Sequence, residues 1–177
     1  ALLTLAFEVI EAAPIGADVR LRLIQLLAKA SGGEGMMAGQ YLDLLGEHQS
    51  FLLEQIIHMQ TLKTGALISV CVDAAIAMTP APLDPSHITT LINFGKCLGL
   101  AFQICDDLLD LKEEPHLIGK DVGQDAGKST FVSLLGAAKA QQQARDLLNE
   151  ALRCLQPFDH ISHTLKNATQ ELIRRVG

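Results

Sequence analysis

The sequence predicts an all-α protein, and two features support this assignment. Hydrophobic residues make up 49% of the 177 residues, whereas charged residues make up only 19%. The apolar side chains, mainly Ala, Leu, Ile and Val, occur in long segments of helical spacing, and no convincing alternation with a period of two residues competes with them. A chain of this length and composition can enclose the core of one domain, and disorder is not expected.

Proline and glycine residues mark the helix ends in the first half of the chain. The first helix stops at Pro14, because proline cannot continue a helix. The second has apolar positions at helical spacing and ends at Gly32. The fourth ends before Pro80. We therefore expect helices over residues 1–13, 17–31, 35–46 and 50–78.

A polar segment divides the second half of the chain. A helix is expected from Ser86, its predicted N-cap, to about residue 112. Residues 113–128 are rich in Gly, Lys and Asp and are predicted to form a loop. Two helices, over residues 131–154 and 159–175, are expected to complete the chain.

Composition argues against several classes of function. The net charge is −6 and no stripe of Lys and Arg is present, so no nucleic-acid-binding surface is expected. The longest stretch without Asp, Glu, Lys or Arg, residues 85–95, is shorter than the roughly 18 residues of a membrane-spanning helix. The cysteines lack Cys-x-x-Cys spacing. We expect them to be reduced, buried thiols of a cytoplasmic protein: Cys71, Cys97, Cys105 and Cys154.

The first residues resemble the interior of a helix. Residues 1–7 contain no methionine, no capping residue and no basic segment, and they lack the features of a signal peptide. We therefore expect residues 1–177 to be the C-terminal part of a single, longer domain.

Three aspartates lie near the end of the helix predicted from Ser86. Asp106 and Asp110 are four residues apart and share a helix face, and Asp107 lies beside them. Like charges repel at this spacing, and the helix dipole disfavours anions at a C-terminus. A cation should therefore compensate them, and carboxylates without His or Cys suit Mg²⁺ shared with a phosphate. The alternative is a solvated acidic helix end.

Polar residues within apolar helices are further candidates. Phe102 and Gln103 project over the aspartate face one turn earlier. Lys63 is the only formal charge between Glu54 and Asp73, and we interpret it as an ammonium directed at an anion inside the bundle. The following Thr64-Gly65 would let a ligand approach the backbone. Alternatively, Lys63 extends to solvent from an apolar helix.

Two glycine-rich segments complete the set of motifs. Residues 119–130 contain Lys120 and Lys128 but do not form a P-loop, since the motif needs four residues between its glycines and no strand precedes the segment. We interpret this segment as a lid or clamp for phosphates, with a solvated turn as the alternative. Residues 31–44 are dense in glycine and place Gln40 and Asp43 on one helix face.

Together these motifs resemble those of the trans-isoprenyl diphosphate synthases, most closely the bacterial farnesyl diphosphate synthases. Four segments match in the order and spacing of the family: residues 31–44, 63–65, 102–110 and 119–130. The aspartates correspond to the second aspartate-rich motif of the family.

The resemblance implies a fold and a reaction. The fold would be a bundle of antiparallel helices around a deep cavity, usually homodimeric. An allylic diphosphate would bind through Mg²⁺ and react with isopentenyl diphosphate by ionisation, attack of the double bond and loss of a proton. The product would be farnesyl diphosphate.

The resemblance also assigns roles to residues at matching positions. Asp106, with Asp107 and Asp110 through bound water, would hold Mg²⁺. The substrate-binding positions would be Gln40, Asp43, Phe102, Lys120 and Lys128. The catalytic positions would be Lys63, which contacts the diphosphate, and Thr64 and Gln103, whose oxygens lie near the allylic cation.

Other features limit the resemblance or leave alternatives. The first aspartate-rich motif and the basic isopentenyl diphosphate site of the family are absent from this sequence, and Ala38 and Val132 stand where Gly and Pro are frequent. A di-iron bundle needs Glu-x-x-His pairs, and the only such spacing, Glu113 to His116, is interrupted by a proline. A non-catalytic subunit of a heteromeric prenyl synthase and a helical interaction module remain alternatives.

Overall fold

The computed structural model describes residues 1–113 and 129–175. The described residues form helices and short connections without a β-strand, which confirms the all-α prediction. The helices are α1 (Leu2–Ala12), α2 (Ala17–Ser31), α3 (Met36–Gly46), α4 (Leu53–Gln60), α5 (Ala66–Ala77), α6 (Pro85–Glu113), α7 (Phe131–Leu135), α8 (Ala137–Cys154) and α9 (His163–Arg175). Apart from its first residue, the loop predicted over 113–128 lies outside the described residues.

One predicted helix differs in its interior. Instead of one regular helix over 50–78, α4 and α5 are joined by a π-helical turn, Thr61–Gly65. The segment begins at Leu53, where the Leu52 amide donates a hydrogen bond to the Gln55 side chain (2.8 Å). A π-helical turn within an α-helix frequently marks a functional site.

Three other helix ends differ for local reasons. Asp84, rather than Ser86, caps α6, because its carboxylate accepts the Ser86 amide hydrogen bond (2.8 Å). The predicted helix 131–154 is divided into α7 and α8 by Gly136, whose φ of 78° favours glycine. The last helix begins at His163 rather than 159, because residues 159–161 form a turn in which the Ile161 and Ser162 amides donate to the Phe158 carbonyl (3.0 Å each).

Helix α6 lies at the centre of the bundle and packs against α5, α7, α8 and the π-helical turn. On α8 the residues that face inwards are mostly alanines, which allow its close approach to α6. The main buried cluster consists of Phe51, Ile56, Met59, Ala101, Ile104, Cys105, Leu108, Phe131, Ala140, Ala144 and Leu148. This packing holds the C-terminal half of α6, and with it the aspartates, in a fixed position.

The apolar composition of α6 is compatible with a core helix and also with a membrane-spanning helix. Within the described residues, α6 is the helix that is long and apolar enough to span a membrane, over Pro85–Leu111. The core helix of a soluble protein meets the same criteria. We interpret α6 as a core helix, because it is surrounded by α5, α7 and α8.

The cysteines only partly follow the prediction. All four are free thiols, and Cys105 and Cys154 are buried. Cys71 is exposed, however, and Cys97 is half-buried. The expectation that all four are buried was therefore wrong for Cys71, which lies on the outer side of α5 beside an apolar groove.

Candidate active site

The π-helical turn carries the Lys63-Thr64-Gly65 motif and is contacted by two glycines. A Cβ atom at Gly39 in α3 would lie 2.2 Å from the Lys63 backbone nitrogen. A Cβ atom at Gly99 in α6 would lie 2.9 Å from the Gly65 Cα atom. Both helices thus touch the backbone of the turn directly, which only glycine permits at these distances.

Lys63 forms an ion pair with Asp43, so the structure brings two predicted site residues together. The distance from Lys63 Nζ to Asp43 Oδ2 is 2.6 Å. The Asp43 side chain is 4% exposed, whereas that of Lys63 is 30% exposed. The ammonium is therefore held on one side by a buried carboxylate but still reaches solvent. Gln40, one turn earlier in α3, is exposed and shares no described contact with Lys63.

Replacing Lys63 with methionine is expected to lower the free energy of unfolding by about 2 kcal/mol, because the buried Asp43 carboxylate loses a charged hydrogen-bond donor. Lys29→Met is the matched control, since Lys29 pairs with Glu34 on the surface (3.2 Å, both more than two-thirds exposed) and should cost less than about 0.5 kcal/mol. Urea unfolding followed by circular dichroism measures both. Equal losses in the two variants would contradict the structural role of the Lys63–Asp43 pair.

Thr64, Gln103 and Asp107 are linked by hydrogen bonds. The Thr64 hydroxyl donates to Gln103 Oε1 (3.0 Å), and Gln103 Nε2 donates to Asp107 Oδ1 (2.9 Å). The second oxygen of Asp107 accepts from the backbone amide of Phe131 (2.9 Å). The motif in the π-helical turn and the aspartates in α6 therefore belong to one site.

The three aspartates have different environments. Asp106 and Asp110 are exposed, and Asp107 is half-buried. Burial raises the pKa of the Asp107 carboxyl, with a further increase from Asp106 and Asp110, while the hydrogen bonds from Gln103 and Phe131 act in the opposite direction. Burial, and then the charge of Asp106, raises the pKa of the adjacent Cys105 thiol to about 11, so this thiol is neutral at physiological pH.

The donor set of the aspartate face is compatible with Mg²⁺. Asp106 and Asp110 present two exposed carboxylates four residues apart, and the described residues contain no compact group of three or more His, Cys, Asp or Glu side chains. Mg²⁺ commonly takes one or two protein carboxylates and completes its octahedral shell with water and phosphate oxygens. A metal bound here would therefore have coordination positions left for water and for phosphate oxygens.

The structure describes less of the surroundings of three other predicted site residues. Phe102 is 44% exposed on α6, beside Gln103. Lys120 and Lys128 lie outside the described residues. The residue after Lys128, Ser129, accepts a hydrogen bond from the Phe51 amide (3.1 Å), which fixes the chain at the start of α7.

Three contributions were not identified from the sequence. Gly99 was a possible signal, because a glycine inside a helical pattern often marks a close approach. Gln60 is buried at the end of α4, next to the π-helical turn, and its Oε1 has no hydrogen-bond partner among the described residues. The Phe131 amide is a backbone group that no residue pattern identifies.

Comparisons with known proteins agree with this geometry. The model of the family described as polyprenyl synthetase matches residues 1–172. The farnesyl diphosphate synthase of Micrococcus luteus is 40% identical over 99% of this chain, and the match covers 60% of that protein. The chain thus spans less than two-thirds of the length of this relative.

Solved structures give the same result. An FPP/GFPP synthase from Zymomonas mobilis is 38% identical with a TM-score of 0.81, over 96% of this chain and 57% of its own. A geranyltransferase from Helicobacter pylori, complexed with magnesium and isoprenyl diphosphate, is 30% identical with a TM-score of 0.73, over 98% of this chain and 55% of its own. The chain belongs to the polyprenyl synthetase family, the trans-isoprenyl diphosphate synthases that its motifs resemble.

Proposed function

We propose that the whole protein containing this chain condenses isopentenyl diphosphate with dimethylallyl or geranyl diphosphate to form farnesyl diphosphate. The observation that supports this most directly is the hydrogen-bond link from Thr64 through Gln103 to Asp107. It joins a lysine-bearing turn to an acidic helix face, as binding of a metal-diphosphate complex requires. The farnesyl diphosphate synthase relatives favour the same reaction.

The chain's own residues would act mainly by electrostatics. Bound Mg²⁺, held by Asp106 and Asp110, would neutralise charge on the departing diphosphate. Lys63 would bind the same diphosphate, because its ammonium is anchored to Asp43 and still reaches solvent. Fixed cationic groups of this kind stabilise a leaving group without reorganisation during the reaction.

Neighbouring groups would contact the carbon skeletons of the two substrates. The oxygens of Thr64 and Gln103 would face the developing allylic cation. The exposed ring of Phe102 would pack against isopentenyl diphosphate, and the departing diphosphate would accept the proton that is lost. Gln40, Lys120 and Lys128 would add contacts to the diphosphates and remain predictions.

The reaction is tested with radiolabelled isopentenyl diphosphate and each allylic diphosphate, with Mg²⁺ or EDTA. We expect the whole protein to form farnesyl diphosphate only with Mg²⁺, and the 177-residue chain alone to be inactive. Metal-independent turnover would contradict the proposed role of the aspartates. A whole protein that is inactive by itself but activates a second prenyl synthase would instead be a non-catalytic subunit.

We also propose that the chain forms the C-terminal part of one domain in a cytoplasmic homodimer. Helix α1 has no buried residue, and Leu2, Leu5 and Val9 on one of its faces are 83%, 49% and 61% exposed. An apolar face of this kind needs a partner surface, which the rest of the domain or a second copy would supply. Sedimentation of the whole protein tests this, and a monomer at micromolar concentration would exclude the dimer.

A further inference from the structure

Asp107 differs from the other two aspartates in having both carboxylate oxygens engaged by the protein. Oδ1 accepts from the Gln103 side chain and Oδ2 accepts from the Phe131 amide, each at 2.9 Å. Asp106 and Asp110 are exposed, and no hydrogen bond from a described residue occupies them. As far as the described residues go, the lone pairs that a metal would need are therefore open on these two residues and are partly used on Asp107.

The hydrogen bonds of Asp107 fix a direction along the whole chain of groups. The Phe131 N–H is a donor only, and an ionised carboxylate is an acceptor only. Gln103 must therefore present its NH₂ group to Asp107, which leaves its oxygen facing Thr64. The Thr64 hydroxyl must in turn act as the donor. The hydroxyl proton is thus directed away from any ligand, and both lone pairs of Thr64 Oγ1 stay available.

We propose that Asp107, for which the resemblance implies a water-mediated contact to Mg²⁺, is instead a positioning residue. It sets the direction of the hydrogen-bond chain from Phe131 to Thr64 and so keeps the Thr64 oxygen an acceptor for a cationic substrate carbon. The stabilisation of a cation by the Thr64 oxygen rests on the prenyl transfer proposed above. The direction of the hydrogen bonds does not depend on that reaction. The anchoring is rigid, because the Phe131 side chain is fully buried in the main cluster together with Ile104, Cys105 and Leu108 of α6.

The substitution Asp107→Asn tests the direction while nearly preserving shape. The introduced asparagine can accept from the Phe131 amide with its oxygen, but its NH₂ group then faces Gln103, whose own amide must turn over. Thr64 becomes the acceptor, and its proton points towards the substrate. We expect kcat of the whole protein to fall on the order of a hundredfold, while the Mg²⁺ concentration for half-maximal rate stays within about twofold of wild type.

Asp106→Asn is the control for metal binding and should raise the half-maximal Mg²⁺ concentration about tenfold or more, because loss of even an outer-shell partner of a metal typically weakens binding by that factor. If Asp107→Asn shifts the Mg²⁺ dependence as strongly, Asp107 is a metal ligand and the proposal is wrong. An unchanged kcat in Asp107→Asn would also overturn it.

A double variant that combines Gln103→Glu with Asp107→Asn provides a rescue. The introduced glutamate can accept from the NH₂ group of the introduced asparagine with one oxygen and from the Thr64 hydroxyl with the other, which restores the original direction. Gln103→Glu alone would place two carboxylates together. We expect kcat of the double variant to be at least about tenfold higher than that of Asp107→Asn, which is the scale of coupling between residues in contact. A double variant no faster than the slower single variant would contradict the proposal.

Hydrogen exchange of the Phe131 amide in EDTA separates the geometry from the reaction. Asp107→Ala should accelerate this exchange about tenfold or more, and Asp106→Ala should leave it unchanged. If the wild-type protein shows no prenyl transfer but this pattern holds, the proposed function fails and the positioning geometry stands. Unchanged exchange in Asp107→Ala would overturn the positioning role itself.

Discussion

Replacing Asp106 with alanine is expected to reduce kcat of the whole protein about a thousandfold or more, since several kcal/mol of leaving-group stabilisation would be lost. Asp106 is an exposed carboxylate on the same α6 face as Asp110, and no hydrogen bond from a described residue occupies it. No contact within residues 1–113 and 129–175 therefore gives Asp106 a structural role. Removing it also relieves repulsion with Asp110, so the melting temperature should not fall.

The experiment measures both kcat and the melting temperature of Asp106→Ala, since we expect the first to fall and the second not to. Turnover is followed with radiolabelled isopentenyl diphosphate at saturating Mg²⁺, and unfolding by circular dichroism. Asp146→Ala is a matched control, because Asp146 is an exposed acid in the middle of α8 that hydrogen-bonds only to Gln142 among the described residues. A loss below tenfold in Asp106→Ala would remove this residue from the metal site.

Helix positions could be read from the sequence because prolines, glycines and apolar spacing are local signals. The breaks at Pro14 and Gly32 were predicted correctly for this reason. The π-helical turn was not, since its five residues continue the apolar helical pattern on both sides. The division at Gly136 was also missed, because one glycine in a helical pattern is ambiguous until its φ is known.

The pairings within the site depended on tertiary structure. The sequence identified Asp43 and Lys63 separately, but their contact joins residues 20 positions apart on different helices. Asp107 was grouped with Asp106 by spacing alone. Its distinct environment arises from the Phe131 amide, 24 positions further along the chain, and a backbone donor leaves no trace in residue identity.

Gly39→Ala is expected to be the most destabilising single methyl addition in the site. Its Cβ would lie 2.2 Å from the Lys63 nitrogen and 2.5 Å from the Lys63 Cα, well inside the roughly 3.5 Å of an ordinary contact. Because these are backbone atoms of the π-helical turn, no side chain can rotate to make room. Helix α3 must therefore move away from the turn.

This movement would also weaken the ion pair, since Asp43 lies one turn after Gly39 on the same face of α3. Overpacking costs about 1–3 kcal/mol or more, and the gain of about 0.5–1 kcal/mol from alanine in a helix offsets only part of it. With the added loss at the ion pair, we expect a net loss of about 3 kcal/mol. For a chain of this size that corresponds to a fall of about 10 °C in Tm.

Gly46→Ala is the matched control for this prediction. Gly46 is also a buried glycine of α3, but the nearest atom to its added Cβ belongs to the Phe51 ring at 3.3 Å, which can shift by a few tenths of an ångström. Its Tm should change by less than about 3 °C. Thermal unfolding of both variants decides the question, because equal melting temperatures would show that α3 does not rest on the Lys63 backbone. A selective loss in Gly39→Ala would instead link stability to the position of Lys63, the residue proposed to bind the diphosphate.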